Sequence, residues 1–420
     1  MRISNLFSKT VKETSQSDVS RNAQLLVKAG YVNRLMAGVY SYLPLGLRTL
    51  NNIENIIREE MNSIGGQEIL MPALQPREIW DATGRWDKVD VLFKLKGQGD
   101  RDLALGPTHE EVVTPLVANF LQSYRDLPMA VYQIQTKFRN EPRAKSGLLR
   151  GREFRMKDMY SFHSSEEDLD SFYKLATDAY MRIYKRCGLG DITLLTYASG
   201  GVFSKYSHEF QTITPYGEDT VYKIPGTSIA VNKEIIEDRG VLAELIPNYQ
   251  LGDENKLEEH KAIEVGNIFK LSTRFSKAFE ANFTNTDGAQ QSAIMGCYGI
   301  GPSRIMGTIA ECLSDEKGLV WSDEIAPFKV HLVSLARNSE EASECEEWYD
   351  RLNKAGISVL YDDRLGIRAG EKLADADLLG MPNRIVISQK TISAGVVELK
   401  LRASQEAIQV PYDMVIPSLK

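Results

Sequence analysis

Apolar and polar positions alternate through Tyr132, Ile134 and Thr136, the two-residue period of a strand, and the alternation leads into Lys137–Phe162, KFRNEPRAKSGLLRGREFRMKDMYSF. On that extended backbone Arg139 and Glu141 project to one face and Asn140 to the other. A helix follows through Glu166 to Cys187, opened by Ser164 or Ser165 with acids in its first turn. The texture changes between Glu218 and His260, where Pro225-Gly226, Gly240, Pro247-Asn248 and the charge-rich LGDENKLEEHK read as a small insertion or linker. Strand patterning returns at Ala262–Phe269. Beyond Ala326-Pro327-Phe328 the pattern is regular: strand KVHLVSLA, helix SEEASECEEWYDRLNKAG closed by Gly356, strand ISVLYDD, helix GEKLADADLLG, strand NRIVIS. This alternation predicts a compact α/β domain with partly parallel strands.

Two segments carry chemistry. A nucleoside triphosphate requires a fixed guanidinium for phosphate oxygen, an acceptor for an exocyclic amine and a π surface for the base; Arg139, Glu141 and Phe154 supply these on two strands joined by a basic loop. Alone, the pattern also fits an exposed cross-strand ion pair. The second segment is GCYGIGPSRIMGTIAE, where Gly296, Gly299 and Gly301 permit close backbone approach and Arg304 falls in the first turn of a helix begun by Pro302 or Ser303. Its glycine spacing is not that of a dinucleotide fingerprint.

Together these segments resemble the second and third class-defining motifs of the class II aminoacyl-tRNA synthetases, specifically the bacterial prolyl-tRNA synthetases. The helix Leu45–Ile64 running into GGQEILMPALQP resembles the first motif, with Pro72 at its proline position, and GPTHEE at Gly106–Glu111 resembles the loop that holds proline. The resemblance implies an antiparallel-sheet catalytic domain with a small C-terminal α/β anticodon-binding domain: catalytic residues 1–217 and 261–326, a short remnant in place of an editing domain at 218–260, and the anticodon-binding domain at 327–420. It implies a cytoplasmic homodimeric proline ligase that uses ATP and Mg²⁺, with L-proline and tRNA as partners and neither a membrane nor DNA among them. By resemblance Arg139 holds the α-phosphate and substrate carboxylate, Arg304 the γ-phosphate, Phe154 the adenine face and Glu141 its amine. Arg150 joins the ATP set, and Glu264 is the candidate metal or ATP ligand. Thr108 and Glu110 take the imino group, with Glu111 pointing elsewhere on an extended backbone. Asn267 and Cys297 sit beside the proline pocket, although Cys297 also reads as a small buried side chain. Thr108 and Glu110 equally suit caps of the helix that follows. Arg143 is placed for the acceptor end of tRNA, and Asp363, Arg364 and Lys372 for the anticodon, each also suited to surface ion pairing.

Composition agrees. With 420 residues, 43% of them hydrophobic and 25% charged, the chain buries one large core and one or two small ones. No apolar run spans a bilayer, the N-terminus MRISNLFSKTVKETSQ is too polar for a signal peptide, and four cysteines without a Cys-x-x-Cys pair suggest neither disulfides nor structural zinc. A net charge of −7 is unusual for an RNA-binding protein, so local clustering has to supply the basic surface, from Arg139, Arg143, Lys145, Arg150, Arg152, Arg155 and Lys157.

Three departures from the bacterial pattern stand out. Asn267 replaces a pocket histidine, Arg143-Ala144-Lys145-Ser146-Gly147 replaces the usual loop, and the large editing insertion is missing. A catalytically dead relative would be expected to lose an ATP arginine, yet Arg139 and Arg304 are both present. A relative charging threonine, serine or glycine is the other rival, against which GPTHEE and GCYGIG favour proline.

Overall fold

The computed structural model describes residues 1–12, 20–144, 146–201, 206–246, 250 and 252–419; Lys145, Pro247, Asn248 and Leu251 lie outside them. Compactness divides the chain into two units, one comprising Met1–Met36, Tyr40–Ile53 and Ile309–Lys420, the other Ala37–Val39 and Glu54–Thr308.

The second unit is organised by one sheet, nine-stranded among the described residues. Its strands in chain order are β1 Gln67–Glu68, β2 Met129–Phe138, β3 Glu153–His163, β4 Thr193–Ser199, β5 Tyr206–Ile213, β6 Asp219–Lys223, β7 Ile229–Asn232, β8 Glu258–Ser272 and β9 Ile294–Ile300. They lie in the order β5-β4-β7-β6-β8-β9-β3-β2-β1, and β5 also pairs with β8. Apart from β1 with β2 and β4 with β7, the pairings are antiparallel, as expected for the catalytic domain.

Alternation sorts the side chains of the central strands onto two faces. One face of β3 and β9 carries Lys157 and Tyr298 beneath the helix Glu166–Arg186, whose Phe172, Tyr173, Tyr180 and Tyr184 are buried. Ser165 caps that helix by accepting from the Asp168 backbone N–H at 3.2 Å. The other face carries Asp158, Tyr160, Cys297 and Gly299 and is left open for a cavity.

Part of the segment Glu218–His260 is built into the main sheet. Asp219–Lys223 and Ile229–Asn232 are strands of the main sheet, closing a circuit of pairings through β8, β5, β4, β7 and β6 around buried Leu194, Val221, Ala230 and Ala262. Charge and turn residues hide these strands from a periodicity reading because each is only four or five residues long. The circuit depends on a crossing, since Ala262 of β8 is the register partner of both Ile213, which ends β5, and Asp219, which begins β6.

The first unit contains a five-stranded sheet in the order Val359–Asp362, Val330–Ser334, Asn383–Ile387, Val396–Leu401, Ile408–Pro411, the first three parallel. The helices Ser339–Lys354 and Ala369–Leu379 connect the parallel strands, as the sequence pattern predicts. This unit also gathers N-terminal residues: Trp321 Nε1 donates to the Tyr31 hydroxyl at 3.0 Å, and Asn22 donates to Glu311 at 2.7 Å. Such pairings between distant segments leave no periodic trace in the sequence.

Gly217 sits at the crossing over β8, where a Cβ would approach the backbone O, C and N of Ala262 to 2.2–2.4 Å. Gly217→Ala is therefore expected to cost about 1–3 kcal/mol through forced backbone displacement. Chemical denaturation checks this, and an unchanged midpoint would contradict the crossing geometry.

Candidate active site

The open face of the sheet forms the floor of a cavity of about 280 Å³. Register places Gln133, Asp158, Gly299, Asn267 and Glu209 in one row across five strands. The row holds an amide, a carboxylate, a gap, an amide and a carboxylate. A Cβ on Gly299 would meet only the Asn267 carbonyl oxygen at 3.7 Å, so backbone crowding does not demand glycine there. The missing side chain instead keeps space above the floor for a ligand.

At one end of the cavity stand arginines. β2 ends at Phe138, so Arg139 and Glu141 lie just past the strand rather than on it, yet both line the cavity with Arg150, Phe154, Glu264 and Arg304. Arg139 Nε and Nη2 each donate to the Pro107 carbonyl at 3.4 Å, and its guanidinium lies 5.3 Å from the Phe154 ring centroid. Burial, and then the neighbouring Arg304, lowers the Arg139 pKa, the direction expected where cations gather for an anion. Arg304, on the helix Pro302–Cys312, donates from Nη1 to the Glu264 carbonyl at 3.0 Å and to Glu264 Oε2 at 3.1 Å. Arg150 pairs with Glu218 at 3.0 Å.

Elsewhere the lining gathers around the Glu110 carboxylate. Glu110 accepts from the Thr108 hydroxyl and from Cys297 Sγ at 3.3 Å, with Arg85 Nη1 3.9 Å from its Oε2. Burial, then Glu110, pushes the Cys297 thiol well above its ordinary pKa, so it remains a protonated donor. The helix Glu110–Ala118 begins here with His109 as its N-cap and no side-chain cap, so neither Thr108 nor Glu110 is spent on capping. Glu111 does turn away, in a helical turn rather than an extended one, to Arg85 at 2.7 Å and Thr83 at 3.0 Å. Burial raises its pKa to about 7, partly offset by Arg85. Asn267 lines the cavity and donates to Glu264 at 3.2 Å. The neighbouring Glu209 is raised to about 8 by burial and then by Glu264.

Residues 93–312 match the family model for the class II tRNA synthetase core domain (G, H, P, S and T), and residues 329–420 match the anticodon binding domain. A proline–tRNA ligase of Geobacillus sp. (strain WCH70) is 34% identical over 565 aligned residues, covering 100% of this chain and 99% of the relative. One from Listeria welshimeri is 36% identical over 564 residues with the same coverage. The chain belongs to the prolyl-tRNA synthetases of class II. Its fold is shared with the Giardia lamblia prolyl-tRNA synthetase solved with prolyl-adenylate, at a TM-score of 0.76 and 21% identity over 94% of this chain and 74% of that one. The Cryptosporidium parvum prolyl-tRNA synthetase complexed with halofuginone and AMPPNP gives 0.77 and 20%, over 97% and 78%.

Other expected contacts are placed elsewhere. Arg143 is exposed and does not line the cavity. Within the same basic run, Arg152 donates to the Glu141 and Ala37 carbonyls, Arg155 pairs with Glu54, and Lys157 is buried against Tyr180, so these three are structural cations. Lys372, expected to contact tRNA, is corrected by its burial: its side chain is 5% exposed and Nζ donates to the Ser334 carbonyl at 2.7 Å. Arg364 is held by Asp362 at 2.6 Å and Asp375 at 2.8 Å, and Asp363 accepts from Ser4 Oγ at 2.7 Å.

Sequence reasoning missed a buried network under the Gly106–Glu111 loop. Lys137 Nζ lies 2.8 and 2.9 Å from the two Asp158 oxygens and 2.6 Å from His109 Nδ1, while His109 Nε2 lies 3.0 Å from the Pro72 carbonyl. Burial, then Lys137, depresses the His109 pKa to about 4, so the ring is neutral, accepting from Lys137 and donating to Pro72. Burial alone would raise Asp158, but the Lys137 ammonium, helped by the hydrogen bond from Gln133, outweighs it and holds the carboxylate ionised. The available signal was Lys137 and Asp158 bracketing the basic loop, and a charged residue in a strand gives no sign by itself of being buried. Lys137→Met strands the Asp158 charge and is expected to cost about 3–5 kcal/mol, whereas adding Asp158→Asn recovers part of the loss. Denaturation of the single and double variants checks this; a single variant as stable as the parent would contradict the pairing.

Proposed function

We propose that this cavity joins L-proline to ATP and that the prolyl group is then passed to the 3′ end of its tRNA. The observation that carries this is the meeting, in one cavity, of Arg139 and Arg304 with the acceptor pair Thr108 and Glu110. A substrate carboxylate oxygen bonds to the α-phosphorus as the bond to pyrophosphate breaks, leaving prolyl-adenylate; a tRNA hydroxyl then attacks the acyl carbon and releases AMP. No side chain forms a covalent bond, so positioning and charge neutralisation do the catalysis. Arg139 holds the α-phosphate and carboxylate, Arg304 the γ-phosphate, Phe154 and Glu141 the adenine. Thr108 and Glu110 accept from the secondary ammonium, and Phe269, the register partner of Cys297, offers apolar surface to the ring.

The residues present fit a magnesium ion that arrives with the nucleotide. Among the described residues no group of three or more His, Cys, Asp or Glu side chains is arranged to hold a metal alone, and an ion that keeps phosphate and water ligands needs only one or two carboxylates. Glu264 would hold it, and the ion would neutralise phosphate charge.

Arg143, exposed on the connection from β2 to β3, is the side chain assigned to the tRNA acceptor end. A homodimer is supported by the edge position of β1, followed by Leu70 and Leu74 at 75% and 51% exposure, apolar surface suited to pairing across a two-fold axis. Among the described residues no helix is long and apolar enough to cross a membrane.

We also assign no editing activity to this chain. It fills 420 of the 565 positions aligned with the Geobacillus relative, and part of Glu218–His260 is committed to the main sheet.

Arg139→Ala or Arg304→Ala is expected to lower proline-dependent ATP–pyrophosphate exchange on the order of a hundredfold or more, about 3 kcal/mol of lost transition-state stabilisation. Undiminished exchange in either variant would overturn the ATP assignment. Incubated with alanyl-tRNA specific for proline, the purified protein is expected to leave the ester at its uncatalysed lifetime, because a pocket made for the larger ring admits alanine and we assign no second, hydrolytic site among the described residues. Hydrolysis that survives removal of contaminating deacylases would contradict this.

A further inference from the structure

We infer that Tyr160 is a positioning residue for the amino acid, fixing both the place of the Thr108–Glu110 loop and the direction of its hydrogen bonds. This rests on the reading that Thr108 and Glu110 hold the substrate ammonium. Tyr160 is fully buried on β3, two residues from Asp158 and therefore on the same face of the strand. Its hydroxyl lies 3.0 Å from Asp158 Oδ2, accepts the His109 backbone N–H at 3.0 Å and stands 3.5 Å from Thr108 Oγ1.

The proton directions follow from Asp158. Lys137 and Gln133 Nε2, the latter at 3.0 Å, already donate to that carboxylate, which has no proton to give, so Tyr160 must donate to it. The phenol oxygen is then left as an acceptor, which captures the His109 N–H at the point where the loop enters its helix. Thr108 has one hydroxyl proton and gives it to Glu110. Its lone pairs therefore stay available to the cavity, and both Thr108 and Glu110 meet the substrate as acceptors. A secondary ammonium has two N–H groups to give, and the loop presents two acceptors. Tyr160 touches no substrate atom in this arrangement and does not line the cavity.

Steady-state exchange with the full chain tests the assignment. Tyr160→Phe is expected to raise the proline KM about tenfold, with the ATP KM changed by less than about twofold, the scale of one hydrogen bond lost from a charged network. Combined with Thr108→Ala, the effects should fall well short of multiplying, since both act on the same hydroxyl. A proline KM unchanged in Tyr160→Phe, a parallel rise in both KM values, or fully multiplicative effects with Thr108→Ala would overturn the role of Tyr160. Thr108→Ala with an unchanged proline KM would instead overturn the placement of proline itself.

Discussion

The buried pairing of Lys137 with Asp158 is the constraint on which the catalytic unit turns. Both charges are out of water, and each is tolerable only because the other is present, with further hydrogen bonds from Gln133 and Tyr160 to Asp158 Oδ2. Through His109 the pair reaches the Pro72 carbonyl, and through Tyr160 it reaches the backbone of the Gly106–Glu111 loop. Three stretches far apart in sequence, 65–76, 106–111 and 137–162, are thereby fastened at one place. A buried polar network of this kind specifies a single arrangement, because any alternative leaves a charge unpaired.

Above that network the sheet separates chemistry from packing by alternation. Lys157 and Asp158 are neighbours in sequence but face opposite sides, one under the helix Glu166–Arg186 and the other at the cavity floor. The same rule disposes of the basic run whose local charge offsets the net −7: Arg139 faces the cavity, while Arg152 and Arg155 hold backbone and Glu54. Cation count along a strand therefore overstates the exposed basic surface, and Arg143, on the loop, is the residue of that run that is exposed among the described residues.

Much of the site was legible because its residues sit in short, chemically distinctive segments. Arg139, Glu141, Arg150, Phe154, Thr108, Glu110, Glu264, Asn267, Cys297 and Arg304 all line one cavity. What escaped was the support beneath them. Asp158, Lys137 and Arg85 are charged residues whose role comes from burial, and burial is a property of the fold rather than of local spacing. The C-terminal alternation was legible at the level of single strands and helices. The short strands of 219–232 were not, since four or five residues rich in charge carry too little period to stand out. Lys372 shows the converse error: a lysine in an amphipathic helix reads as exposed, yet here its ammonium is drawn inward by the Ser334 carbonyl.

One cavity, floored by Asp158, Gly299 and Asn267, is proposed to select proline and present it to ATP. Amino-acid-dependent ATP–pyrophosphate exchange across the twenty standard amino acids tests it most directly. The account predicts the highest kcat/KM for proline, with alanine the admitted but weaker competitor. Preferential exchange with threonine, serine or glycine, or exchange with no amino acid, would contradict it.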